Sequence, residues 1–121
     1  TIDELLNGDY FACTDRKGIL TGYFCQGQSA RIPTGDCYHY LDDKLDIGLG
    51  MHPALCGKGL GPEFMRCGLE YMTRQTPCVP LRLTVAAFNT RAISLYKRMG
   101  FTVERTVTHK ISGASFFIMI R

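Results

Sequence analysis

No run of apolar residues in this chain approaches the ~20 needed to cross a bilayer as a helix, and no basic-then-apolar leader stands at its start. Both absences lead to the expectation of a soluble cytoplasmic domain with no membrane partner. The six cysteines form no C-x-x-C pair and no cysteine and histidine spacing of a metal site, so no metal is expected. With 45% apolar residues the chain can build an ordinary core without disulfides. Cys13, Cys25, Cys37, Cys56, Cys67 and Cys78 are therefore expected as reduced thiols, mostly small buried hydrophobes. A basic block is missing too: the formal charge is +3, but Lys and Arg are scattered, which favours a small anionic ligand over nucleic acid. Repeats and low-complexity tracts are absent. What 121 residues of this composition imply is one domain with a real core.

What the chain has is a glycine-rich stretch at 45–61, L-D-I-G-L-G-M-H-P-A-L-C-G-K-G-L-G. Residues 46–51 read as a strand, Pro53 removes a ladder donor, and Gly57, Gly59 and Gly61 permit close approach of backbone to a ligand. From Pro62 the apolar positions Phe64, Met65, Gly68, Leu69 and Met72 recur three and four apart, predicting a helix over about 61–75. The unpaired amides of its first turn would face the glycine turn and suit an anion. The spacing excludes two common phosphate loops. Gly50 lies too far from Gly57 for a nucleotide-triphosphate loop, and Lys58 is followed by Gly59 rather than Ser or Thr. The order G-x-G-x-G at 57–61 is not the dinucleotide fingerprint either.

The remaining elements alternate. Residues 9–15 and 19–27, separated by Lys17 and Gly18, predict a β-hairpin. The polar stretch 28–44 is long for a connection inside a compact domain, and such loops are often functional. Strands follow at about 45–52 and 80–88, the second ending in A-A-F, and a parallel crossover must join them. Ala92, Leu95, Tyr96 and Met99 make a helical stripe that Gly100 ends, with Asn89 or Thr90 as its N-cap. Residues 101–121 read as a closing antiparallel hairpin. The fold class is α/β, a mixed sheet flanked by helices.

At Asn89 to Phe101 the sequence N-T-R-A-I-S-L-Y-K-R-M-G-F resembles the second signature of the GNAT superfamily of N-acetyltransferases, N-x-x-A-x-x-L-Y-x-x-x-G-F. The first signature, Q/R-x-x-G-x-G/A at the start of the central helix, is met by C-G-K-G-L-G at 56–61, with Cys56 where the family prefers Gln or Arg. Two motifs in order, one helix and one strand apart, carry the resemblance over roughly residue 9 to the C-terminus. Family members begin with a strand and one or two helices, for which this chain has only T-I-D-E-L-L-N-G. It is therefore expected to be a single GNAT-like domain over 1–121 that is incomplete at its N-terminus.

The resemblance implies acetyl-coenzyme A as cosubstrate and a small-molecule or peptide amine as acceptor, within a monomer or homodimer. It also implies that the strands at 45–52 and 80–88 splay, so that Leu49, Gly50 and Met51 bind the pantetheine arm. The pyrophosphate would lie over Cys56, Gly57, Lys58, Gly59, Leu60 and Gly61, and Asn89 would hydrogen-bond the coenzyme. Glycine at 48 and 50 fits a local strand distortion. Tyr96 matches the tyrosine that protonates the departing thiolate, the alternative being a ring that only packs the helix's inner face. Asp46 lies where many relatives carry a strand glutamate facing the acceptor, the alternative being a solvated strand residue. His39 and His52 read as loop and turn residues, and water or an already neutral amine would remove the need for a base. A non-catalytic acyl-coenzyme A-binding module would share the turn without needing the tyrosine. The acceptor, whether small amine, amino acid, aminoglycoside-like compound or protein N-terminus, is not written in the sequence.

Overall fold

A computed structural model of the protein describes residues 2–5, 10–14, 17–18, 20–35, 38–51 and 61–121. Strand β1 (Ile2–Leu5) pairs antiparallel with β2 (Tyr10–Thr14), and β2 with β3 (Leu20–Gln26) forms the expected hairpin beside Gly18, whose φ is +79°. Strand β4 (Leu45–Met51), helix α1 (Gly61–Gln75) and strand β5 (Leu81–Ala86) make the expected parallel crossover. Helix α2 (Thr90–Arg98) leads into the hairpin of β6 (Thr102–Thr108) and β7 (Ser115–Ile120). The seven strands form one mixed sheet in the order β1-β2-β3-β4-β5-β7-β6. Among the described residues no helix is long and apolar enough to cross a membrane.

Alternation sorts each strand into two faces. Phe11, Phe24, Ile47, Leu83, Val85 and Met119 point to one of them, where Phe64, Met65, Leu69 and Met72 of α1 and Ile93 and Tyr96 of α2 complete the core. Helix α1 is seated on β3 by contact of Gly68 with Phe24: a Cβ at Gly68 would overlap the Phe24 ring, which itself stacks on Phe64 with centroids 4.6 Å apart. Gly68→Val is therefore expected to lower stability by about 3 kcal/mol, the upper end for overpacking a tight core. Urea denaturation would read this as a lower midpoint at unchanged slope. Cys67 of the same helix is only partly exposed; burial pushes its thiol pKa up and neighbouring Cys13 adds to the effect. Among the described residues Cys13, Cys25, Cys67 and Cys78 are free thiols.

The opposite face is covered by residues 27–44. This segment begins with a short 3-10 turn, Gly27–Ala30, and is tied to the sheet by backbone bonds from Gly35 N to Thr108 O, 2.9 Å, and Lys110 N to Pro33 O, 2.8 Å. Beneath it Ile118 and Val107 are buried at 0% and 1% exposure. The stretch expected to be a functional loop is thus a strap over the sheet. Strand β6, at the sheet edge, has a register shift between Val103 and Arg105 and exposes nearly every residue.

The glycines of β4 stand where β4 parts from β5 and at close contacts with β3. No register shift interrupts the pairing of β3 with β4, and a Cβ at Gly48 or Gly50 would run into the side chains of Cys25 or Tyr23 opposite. The two glycines make room for cross-strand neighbours in a regular ladder.

Candidate active site

The parallel pairing of β4 with β5 lasts for only three residues, Leu45, Asp46 and Ile47 against Leu81, Arg82 and Leu83. Beyond it β4 continues to Met51 along β3, and β5 continues to Ala86 along β7. The strands therefore part, and residues 48–51 and 84–86 turn edges that have no strand partner among the described residues into a wedge. Such edges carry backbone donors and acceptors that seek a partner. Leu49 and Gly50 lie on this parted section and Met51 ends it. Helix α1 begins at Gly61, past the wedge, and α2 begins at the end of β5.

Asn89 caps α2: its Oδ1 accepts from Ala92 N at 3.3 Å, while its own N–H donates to Ala86 O at 2.9 Å. Its side-chain amide has no acceptor among the described residues. Tyr96, nearly two turns further along, is 8% exposed and meets Phe101 edge-on at 6.2 Å. Burial pushes its phenol pKa up to about 12. No hydrogen bond to the hydroxyl exists among the described residues, so this is a buried ring with its proton held rather than a tyrosine anchored by its oxygen. Cys56, Gly57, Lys58, Gly59 and Leu60, together with His52, lie outside the described residues. Among the described residues no cluster of His, Cys, Asp and Glu could hold a metal ion.

Asp46 differs from both expectations for it. It is 2% exposed, which rules out a solvated strand residue. Its Oδ1 accepts from Arg82 Nε at 2.6 Å, and its Oδ2 accepts from Arg82 N–H at 2.7 Å and Arg31 Nε at 2.8 Å. With both oxygens engaged by guanidiniums and the side chain covered, no face is left from which an amine or water could deliver a proton. The hydrogen bonds they donate to Asp46 raise the pKa of both arginines further. The ring of Tyr40 in the strap lies against both, its centre 5.4 Å from Arg31 and 5.1 Å from Arg82, and its hydroxyl meets Thr84 Oγ1 at 2.8 Å. Arg82 also donates to Leu41 O at 2.7 Å. The cluster pins the strap at the closed end of the wedge, a structural duty rather than a chemical one.

Two residues bordering the wedge were not singled out from the sequence. Tyr23, 44% exposed, lies over Gly50, and Phe88, 82% exposed, follows the free end of β5. Phe88 could have been singled out as an aromatic directly before the Asn89 cap. Tyr23 could not, since its neighbour is set by the register of β3 against β4.

A profile of the Acetyltransferase (GNAT) family matches residues 10–101. The chain belongs to that family. Among solved structures it resembles a GNAT-family acetyltransferase from Bacillus anthracis, with TM-score 0.71 and 16% identity over 95% of this chain. It likewise resembles a variant of the spermidine N-acetyltransferase SpeG from Vibrio cholerae, with TM-score 0.73 and 19% identity over 93% of this chain. The chain spans 66% and 62% of the lengths of those two proteins. At such identities the likeness is one of fold. No curated protein sequence matches the chain.

Proposed function

We propose that the protein transfers an acetyl group from acetyl-coenzyme A to a primary amine by direct attack, as part of the cytoplasmic chemistry its free thiols suit. The observation that carries this reading is the wedge: two strand edges that part after three paired residues, with Asn89 capping the helix that follows β5. Residues 48–51 and 84–86 would bind the pantetheine amides as a further strand binds, through backbone donors and acceptors. The pyrophosphate would be held by backbone amides of the glycine turn from Cys56 to Gly61 at the positive end of α1, with Lys58 adding charge. The side-chain amide of Asn89 supplies a further donor.

The cosubstrate brings an activated thioester, and the chain supplies position and a proton. A C–N bond forms as the C–S bond breaks: the amine attacks in its neutral form, its nitrogen then releases one proton to water, the sulfur takes the proton held by Tyr96, and the phenolate regains a proton from water. Asp46, fully engaged with its arginines, is not assigned the role of base.

The test is thiol release from acetyl-coenzyme A against a panel of spermidine, an amino acid, an aminoglycoside and a peptide N-terminus. The protein should include any chain preceding Thr1. At least one amine should raise thiol release well above the rate without amine. Calorimetric binding of the coenzyme with no amine consumed would make this a binding module of the same fold.

A further inference from the structure

At the closed end of the sheet, α1 from Arg66 to Arg74 and the end of α2 border an open cavity of about 800 Å³. Arg66 and Arg74 reach it from α1, Arg98 from the end of α2, and Arg121 from beyond β7; Leu69 and Met99 supply an apolar floor. Arg121 is fixed there by backbone bonds to Leu81 at 3.0 and 3.2 Å, and its side chain lies against Gly100, whose φ is +97°. We propose that this cavity binds a small organic phosphate, an anion with an apolar or aromatic body, at a site separate from the one assigned to the coenzyme.

The separation follows from the helices. Asn89 and Gly61 open α2 and α1, whereas Arg98 is the last residue of α2 and Arg74 lies in the last turn of α1. The 15 residues of α1 span about 22 Å at the usual rise per residue. Basic residues in a last turn have an ordinary duty, complementing the negative end of the helix dipole. Two helix ends amount to roughly one negative charge together, since each carries about half of one. Glu70 adds one more, against four guanidiniums drawn from three elements. Positive charge is left in clear excess. Among the described residues none of the four guanidiniums makes an ion pair or hydrogen bond, although Glu70 lies four residues from both Arg66 and Arg74. Guanidinium forks match phosphate oxygens in pairs, and the Thr73 hydroxyl adds a donor at the rim. The volume is that of a small-molecule pocket, and the apolar floor distinguishes an organic phosphate from the bare ion.

Calorimetry with 1-naphthyl phosphate and, separately, inorganic phosphate tests the site. The naphthyl ester should bind measurably and at least tenfold more tightly than inorganic phosphate. The double variant Arg74→Gln/Arg98→Gln should weaken the ester at least tenfold, while Lys110→Gln on the far hairpin should change it less than twofold. Circular dichroism confirms that each variant is folded, which exposed arginines permit. Three results would overturn the proposal: no binding of the ester at millimolar concentration, binding untouched by the double variant, or equal losses in the double variant and in Lys110→Gln.

Discussion

Asp46→Ala is expected to lower the unfolding free energy by about 3–5 kcal/mol, the usual cost of removing one partner from a buried ion pair. The reason is what it leaves behind. Arg82, 2% exposed, keeps its charge but loses two of its hydrogen bonds, and the Arg31 head loses its inner contact. Tyr40, whose ring packs against both guanidiniums, then has a weaker hold on the strap. Urea denaturation should show a markedly lower midpoint, and hydrogen exchange should rise at Gly35 and Lys110, whose amides tie the strap and hairpin together. The double variant Asp46→Leu/Arg82→Leu should recover much of the loss, because a buried pair replaced as a whole by apolar side chains is often neutral. A midpoint for Asp46→Ala equal to that of the parent protein would sink the structural assignment and reopen the chemical one.

Tyr96→Phe should leave stability near neutral pH and coenzyme affinity almost unchanged while turnover falls roughly ten- to a thousand-fold, up to about the usual contribution of a positioned acid. Phenylalanine keeps the ring that fills the space beside Phe101 and removes only the hydroxyl, which among the described residues has no partner to lose. Alkaline pH gives an independent check. With its pKa pushed to about 12 against an ordinary ~10, the native phenol holds its proton more tightly than the unfolded one. Its contribution to stability is whole below about pH 10 and drains away as pH climbs toward 12. Tyr96→Phe should remove that share of the alkaline loss. In the parent enzyme no fall in turnover below pH ~10 should come from this residue. Equal turnover with phenylalanine at 96 would transfer the acid role to water or another hydroxyl.

Local pattern carried most of the fold. The helix predicted over 61–75 is Gly61–Gln75, because glycine and proline mark its start and apolar residues fall three and four apart behind them. Asn89 was legible as a cap for the same reason, since the bond from its side chain to Ala92 lies within four residues of chain. Asp46 was not legible. Its partner Arg82 is 36 residues away, and only the register of β4 against β5 brings the two opposite each other. A clue was present all the same: Arg82 sits between Leu81 and Leu83 in an alternating strand, so it had to point away from the helices into something able to hold a charge. The glycines of β4 were legible only in part. Their need for space is created by Cys25 and Tyr23 across the ladder, and composition within one strand cannot report on the strand beside it.

Strand β6 has a consequence for assembly. An outer strand offers an unpaired row of amides and carbonyls on which another chain can crystallise its own strand. Here that row is kinked by the irregularity between Val103 and Arg105, and Glu104 and Arg105 place opposite charges at the kink. A straight incoming strand would lose register at that point and desolvate both charges. Copies of this protein that meet β6 to β6 are thereby denied a continuous fourteen-stranded sheet.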